Sequence, residues 1–180
     1  MRCWSAILLL SSALALPAFG QTQPDAFPDS RQARELQACG APEKQVNFTV
    51  ETGNSAQPPA AQPANKALIY ILRPHHGMTS FPSKIAVDGE WKGANLPGTY
   101  FSFTLEPGLH YFCSSAKSQS LLIMTIEAGK SYYLEQQVIF KPHSPVHNLF
   151  LLPESVAKPI LALTTPCNWK IEAPKQDRSE

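Results

Sequence analysis

The sequence has no surplus of charge of either sign. Fifteen Lys and Arg stand against fourteen Asp and Glu, and no five-residue window is dominated by Lys and Arg. A nucleic-acid binder carries a basic surplus clustered on one face, and a polybasic membrane-surface patch needs one too. The sequence predicts neither partner. It also lacks a Gly-x-Ser-x-Gly elbow and a glycine-rich phosphate loop, the local arrangements that expose a nucleophile or cradle a nucleotide. Carboxylates are few, and Asp88, Glu106 and Glu127 fall at turns, where turn chemistry accounts for them. No glycosidase pair stands out and no internal repeat is found. These absences leave no catalytic residue and no cofactor to name.

Long apolar runs are missing as well. The longest, from about Ala6 to Leu16, follows Arg2 and precedes Pro17 and the small-residue pattern Ala18-Phe19-Gly20. It is shorter than the ~20 residues a spanning helix requires. That order is a secretory signal peptide over residues 1–20, with cleavage expected between Gly20 and Gln21. No lipoprotein cysteine follows the run, since Cys3 precedes it. The expected product is an exported protein, periplasmic or secreted, with no transmembrane segment after cleavage. Cleavage removes Arg2 and no acidic residue, which leaves 14 basic against 14 acidic side chains.

What is present is β-patterned. Residues 21–65 form an N-terminal segment with a short helical stretch, DSRQAREL, capped by Asp29 or Ser30. One strand alternates Val46, Phe48 and Val50, and a Pro/Ala/Gln-rich linker, GNSAQPPAAQPAN, follows. From Lys66 the texture changes. KALIYILRP is continuously apolar, as a strand covered on both faces would be. Asp88-Gly89, Pro107-Gly108 and Ala128-Gly129 each read as a hairpin turn, the Pro-Gly pair as type II. Phe101, Phe103 and Leu105 alternate with polar residues. Turns recurring every 8–12 residues between such runs predict an all-β domain over 66–152. The fold expected is a single antiparallel β-sandwich (Ig-like or transthyretin-like) of about seven to eight strands with little helix. Residues 153–180 are expected to hold one short turn or helix, starting at Ser155 and limited by Pro159, then a disordered tail.

Taken in order, KALIYILRP, IAVDGEWKGAN, GTYFSFTLEPGLHYFC and EAGKSYYLEQQV resemble a bacterial family known as domain of unknown function 2846. The resemblance runs from about Lys66 to Leu152 and implies a small β-sandwich at the cell envelope, with no catalytic residues to carry over. The upstream ACGAPEKQVNFTV is similar to a leader that precedes such domains, and this likeness favours pairing Cys39 with Cys113.

Three cysteines remain after export, and an oxidising compartment favours a disulfide. Three thiols allow three single bridges. Cys39–Cys113 is preferred over Cys113–Cys167 and over free buried thiols, because the linker leaves the N-terminal segment otherwise unheld. Closing a loop of about 75 residues would remove roughly 4 kcal/mol of unfolded-state entropy. Cys113 is expected to point inward with Leu109 and Tyr111, and it reads as an anchor, not a nucleophile.

His143 and His147 have zinc-like i, i+4 spacing, but Pro142 and Pro145 break the helix that would give it meaning. The histidines, including His75 and His76, read as exposed loop residues and no metal is expected. His110 is placed on the strand face opposite Cys113. Trp91 and Trp169 are candidate stacking platforms. Tyr132 and Tyr133 fall on opposite strand faces, so one alone can look outward. Trp91 and Tyr133 are therefore the possible ligand contacts. The expected function is a non-catalytic module binding an envelope protein or a surface glycan through a sheet edge or loop. A small hydrolase with a site assembled from separated residues is the alternative.

Overall fold

The computed structural model describes residues 30–40, 46–53, 64–75, 80–116, 118–139 and 146–172. The expected signal peptide, most of the Pro/Ala/Gln-rich stretch, His76, His143 and the residues after 172 lie outside them.

In chain order the elements are α1 (Arg31–Cys39), β1 (Phe48–Thr52), β2 (Ala67–Arg73), β3 (Ser83–Val87), β4 (Glu90–Asn95) and β5 (Thr99–Leu105). β6 (Gly108–Ser115), β7 (Gln119–Ile126), β8 (Ser131–Ile139), β9 (Val146–Leu152), α2 (Glu154–Ala162) and β10 (Thr165–Ile171) follow. The strands make a six-stranded sheet, β1-β10-β5-β2-β8-β9, and a four-stranded sheet, β4-β3-β6-β7. Ile69, Ile71, Phe101 and Leu134 from the larger sheet meet Ile85, Val87, Phe112 and Ile126 from the smaller one in a shared core.

The all-β sandwich is as expected, and its details correct three expectations. There are ten strands among the described residues, where seven or eight were expected. The six-stranded sheet is mixed, because β2 runs parallel to β8 and β10 parallel to β5. The domain also extends beyond residues 66–152. β10, in the 153–180 segment where no strand was expected, pairs with β1 from Phe48↔Ile171 to Thr52↔Cys167. Its Cys167 and Trp169 pack against the core on alternate positions, a period-2 pattern that seven residues beside a proline disguise.

Two of the three turns read as hairpins are corners between sheets. Asp88 and Gly89, at φ 51° and 80°, do close the β3–β4 hairpin by the doubly positive turn expected there. Pro107-Gly108 instead passes the chain from β5 in one sheet to β6 in the other, and Ala128-Gly129 does the same from β7 to β8. The reason is occupancy: β5 has β2 and β10 on its two edges, and β8 has β2 and β9. Neither offers an edge to its neighbour in sequence.

A helix covers the outer face of each sheet. α1 starts at Ser30, whose hydroxyl accepts from Ala33 N at 3.0 Å, satisfying an otherwise orphan donor. α2 begins after Pro153, not Ser155, and continues through Pro159 to Ala162. Its Ala157, Ile160 and Leu161 lie on Leu72, Tyr70 and Tyr133. The order of layers is α1, small sheet, large sheet, α2.

Candidate functional site

Strand alternation decides what each outer face presents. Along β6, Phe112 belongs to the inter-sheet core, whereas Leu109, Tyr111 and Cys113 face out beneath α1 with Ala86. Cys113 therefore points away from the sandwich interior, which corrects its expected inward direction. The bridge to Cys39 is present, with Cα atoms 5.1 Å apart. It pins α1, not a strand, to the small sheet. Most of α1 is exposed and only Ala38 and Cys39 are buried, so apolar contact alone is a weak hold. Gly89 N adds a hydrogen bond to Ala38 O at 3.2 Å.

Trp91 lies on this same outer face and is half-buried. The Lys84 ammonium sits over its ring at 4.5 Å and the Phe48 ring meets it edge-on at 6.3 Å. With Lys84 over the ring and Phe48 at its edge, Trp91 is packed, not an open platform. Trp169 is packed too: Phe48 lies edge-on at 5.4 Å, and a Cβ at Gly93 would collide with its indole nitrogen. Burial pulls the Lys84 pKa down, and its ammonium donates to Val46 O at 3.0 Å.

On the opposite face, Tyr133 is 6% exposed and stacks on Tyr70 at 5.0 Å between centroids. Burial pushes both phenols up, and each stays neutral at physiological pH. Tyr133 nevertheless forms part of the wall of a groove of about 310 Å³ at the β9–α2 junction, with Tyr132, Leu151, Leu152 and Pro153. Leu151 of this wall is 48% exposed and its neighbour in sequence, Phe150, 44%, on an edge strand of the large sheet.

A third feature lies between the sheets. The alternation that sends Ile69 and Ile71 into the core sends Arg73 there as well, and it is 2% exposed. Arg73 donates from one terminal nitrogen to Phe81 O at 2.9 Å and Asn95 O at 3.1 Å. Gln136 donates to Ser114 Oγ at 2.9 Å and Lys84 O at 3.3 Å. Both residues thus join the large sheet to the small one. His147, expected as an exposed loop residue, is a buried strand residue with its ring 6.2 Å from Phe81. Burial, then the Arg73 charge, lowers its pKa to about 4. Arg73 falls to about 10 through burial and stays charged.

Residues 63–148 match the family model described as Protein of unknown function (DUF2846). They form a DUF2846 domain. No curated protein and no solved structure matches the chain. The polar residues Arg73, Asn95, Gln136 and His147 all fall inside the DUF2846 segment, as does Cys113. Cys39, β1, α2, β10 and the Leu151–Pro153 side of the groove fall outside it.

Within the DUF2846 segment one pair has the look of a catalytic dyad. Asp88 Oδ2 meets His110 Nδ1 at 2.6 Å. The other ring nitrogen faces Glu106 O at 2.9 Å, and Asp88 Oδ1 accepts from Tyr111 N at 2.9 Å. Every member is engaged in closing the β3–β4 turn and the β5–β6 corner, so the imidazole has no free nitrogen to act as a base. His75 follows the Arg73 end of β2, while His110 lies by the corner after Leu105 at the other end; they cannot share a metal. Among the described residues no three His, Cys, Asp or Glu side chains gather as a metal-holding group.

Proposed function

We propose that the protein is an exported, non-catalytic binding module that takes an apolar segment of a partner protein at the β9–α2 junction. The carrying observation is the groove walled by Tyr132, Tyr133, Leu151, Leu152 and Pro153, on a strand whose Phe150 and Leu151 are exposed. Its lining is mainly carbon, with Glu154 the charged member. A sugar needs a dense set of polar partners, whereas an apolar side chain of an extended peptide needs the surface found here. This favours a protein over a surface glycan. Export is supported by the Cys39–Cys113 bridge, since disulfides persist in oxidising compartments, and by the signal-like N-terminus.

The test places a photo-crosslinking residue at Leu151 in the full chain and identifies the product. Binding of that purified partner is then compared for wild type, Leu151→Lys and Phe150→Asp. A loss of tenfold or more in both variants is expected. Equal binding by the variants overturns the assignment. N-terminal sequencing of the exported form should begin at Gln21, and retention of residues 1–20 would overturn the export reading.

A further inference from the structure

The Arg73 end of the interlayer concentrates side-chain atoms that make no hydrogen bond with any described residue. They are Ser83 Oγ, both side-chain atoms of Asn95, Gln136 Oε1 and both ring nitrogens of His147. All four residues are at most 2% exposed. Ser83 and Asn95 are cross-strand partners in β3 and β4, and Ser83 shares the inward face of Ile85 and Val87 by alternation. Gln136 shares the inward face of Leu134 on β8, and His147 that of Leu149 on β9. Four strands from two sheets thus carry inward-facing unmatched polar atoms at the Arg73 end of the interlayer. Native interiors leave few such groups, and a cluster of them calls for a specific account.

The chemistry of the set selects its guest. The Asn95 amide nitrogen, the Ser83 hydroxyl and one ring N–H of neutral His147 are donors. Asn95 Oδ1, Gln136 Oε1 and the second imidazole nitrogen are acceptors. A bare anion would leave the acceptors unmatched, and a cation would leave the donors unmatched and face the Arg73 charge. A hydroxyl group both gives and takes, and matches the mixture. Phe81 lies beside both Arg73 and His147 and also lines a groove of about 350 Å³ with Phe48, Pro82, Lys84 and Ala116. We propose that this end of the interlayer is a binding site for hydroxyl groups, entered past Phe81. Water and the hydroxyls of a small polyol are the two sources of that chemistry.

Water magnetic relaxation dispersion on the full, disulfide-bonded chain tests the first source, and NMR of the Asn95, Gln136 and His147 side chains during titration with glycerol and methyl glucoside tests the second. A dispersion from long-lived water that decreases in Asn95→Leu and Ser83→Ala assigns the site to water. Saturable shifts of the His147 and Asn95 signals, lost in the same variants, assign it to the polyol. The hydroxyl to methyl change Ser83→Ala removes a single polar atom and keeps the test valid if Asn95→Leu does not fold. Absence of both signals, or a dispersion unchanged by either substitution, overturns the proposal. The Leu151 groove is untouched by these variants, so its assignment stands or falls separately.

Discussion

Toward the β5–β6 corner, the space between the sheets is filled by Ala67, Leu105, Ile126 and, further in, Phe112. Toward the end of β2, the same space holds Arg73, Ser83, Asn95, Gln136 and His147. At the first end the sheets adhere by burial of apolar surface, whose driving force is non-directional. At the second they are joined by directed bonds, Arg73 to Asn95 O and Gln136 to Ser114 Oγ, which fix the position of one sheet on the other. The comparison teaches that one sandwich can separate cohesion from alignment. It also shows that the unspent hydrogen-bonding capacity gathers at the polar end.

Four measurements would break or sharpen that contrast. The largest effect belongs to the apolar end, where Phe112→Ala should destabilise by about 3–5 kcal/mol in denaturant unfolding. A loss under 1 kcal/mol would mean that packing there is not the main source of cohesion. Second is the pH response of the polar end. His147 has a folded pKa of about 4 against an ordinary 6.5, so between these values the unfolded chain binds the extra proton. Its contribution is complete above pH 6.5 and lost as pH falls to about 4, a total on the order of 3 kcal/mol. The difference in slope between wild type and His147→Leu over that window measures it, and parallel stability curves would refute it. Third, Gln136→Met should cost about 1 kcal/mol, because Ser114 Oγ and Lys84 O lose a donor while the unmatched Oε1 also disappears; a loss above 3 kcal/mol would assign the residue a larger share of cohesion than this contrast allows. Smallest is Leu151→Lys, which lies outside the interlayer and should leave stability within about 0.5 kcal/mol. A cooperative loss of thermal stability in that variant would show that the groove is structural.

Local features were legible in the sequence. Ser30 as a cap, Asp88-Gly89 as a hairpin turn and the doubly covered strand ending at Arg73 each depend on residues a few positions apart. The Cys39–Cys113 pairing was legible through the family resemblance together with the need to hold the N-terminal segment. The corners after Leu105 and Ile126 were not, because a Pro-Gly or Ala-Gly turn specifies a reversal and not the edge that receives the next strand. β10 was hidden for the same reason, as its partners β1 and β5 are remote in sequence. The polar end was not anticipated, although Arg73 shares the alternation of Ile69 and Ile71. His147 was misread because the prolines before it suggested a loop, whereas its spacing from Leu149 is that of a strand's inward face. Trp91 and Tyr133 drew attention as aromatics, but strand parity alone does not say that Lys84 and Phe48 cover one and that Tyr70 stacks on the other.

The antiparallel pairing of β1 with β10 has a consequence in time. β1 borders only β10 in its sheet, and that partner is the last of the described strands. During synthesis from the N-terminus, β1 emerges early and waits while every other described strand follows. Cys39 needs to wait only for Cys113. The covalent bond can therefore form first and hold the early segment beside the small sheet until residues 165–171 arrive. Pulse-labelled folding intermediates should accordingly carry the Cys39–Cys113 bridge before β1 gains protection from hydrogen exchange, and protection of β1 ahead of the bridge would reverse the order.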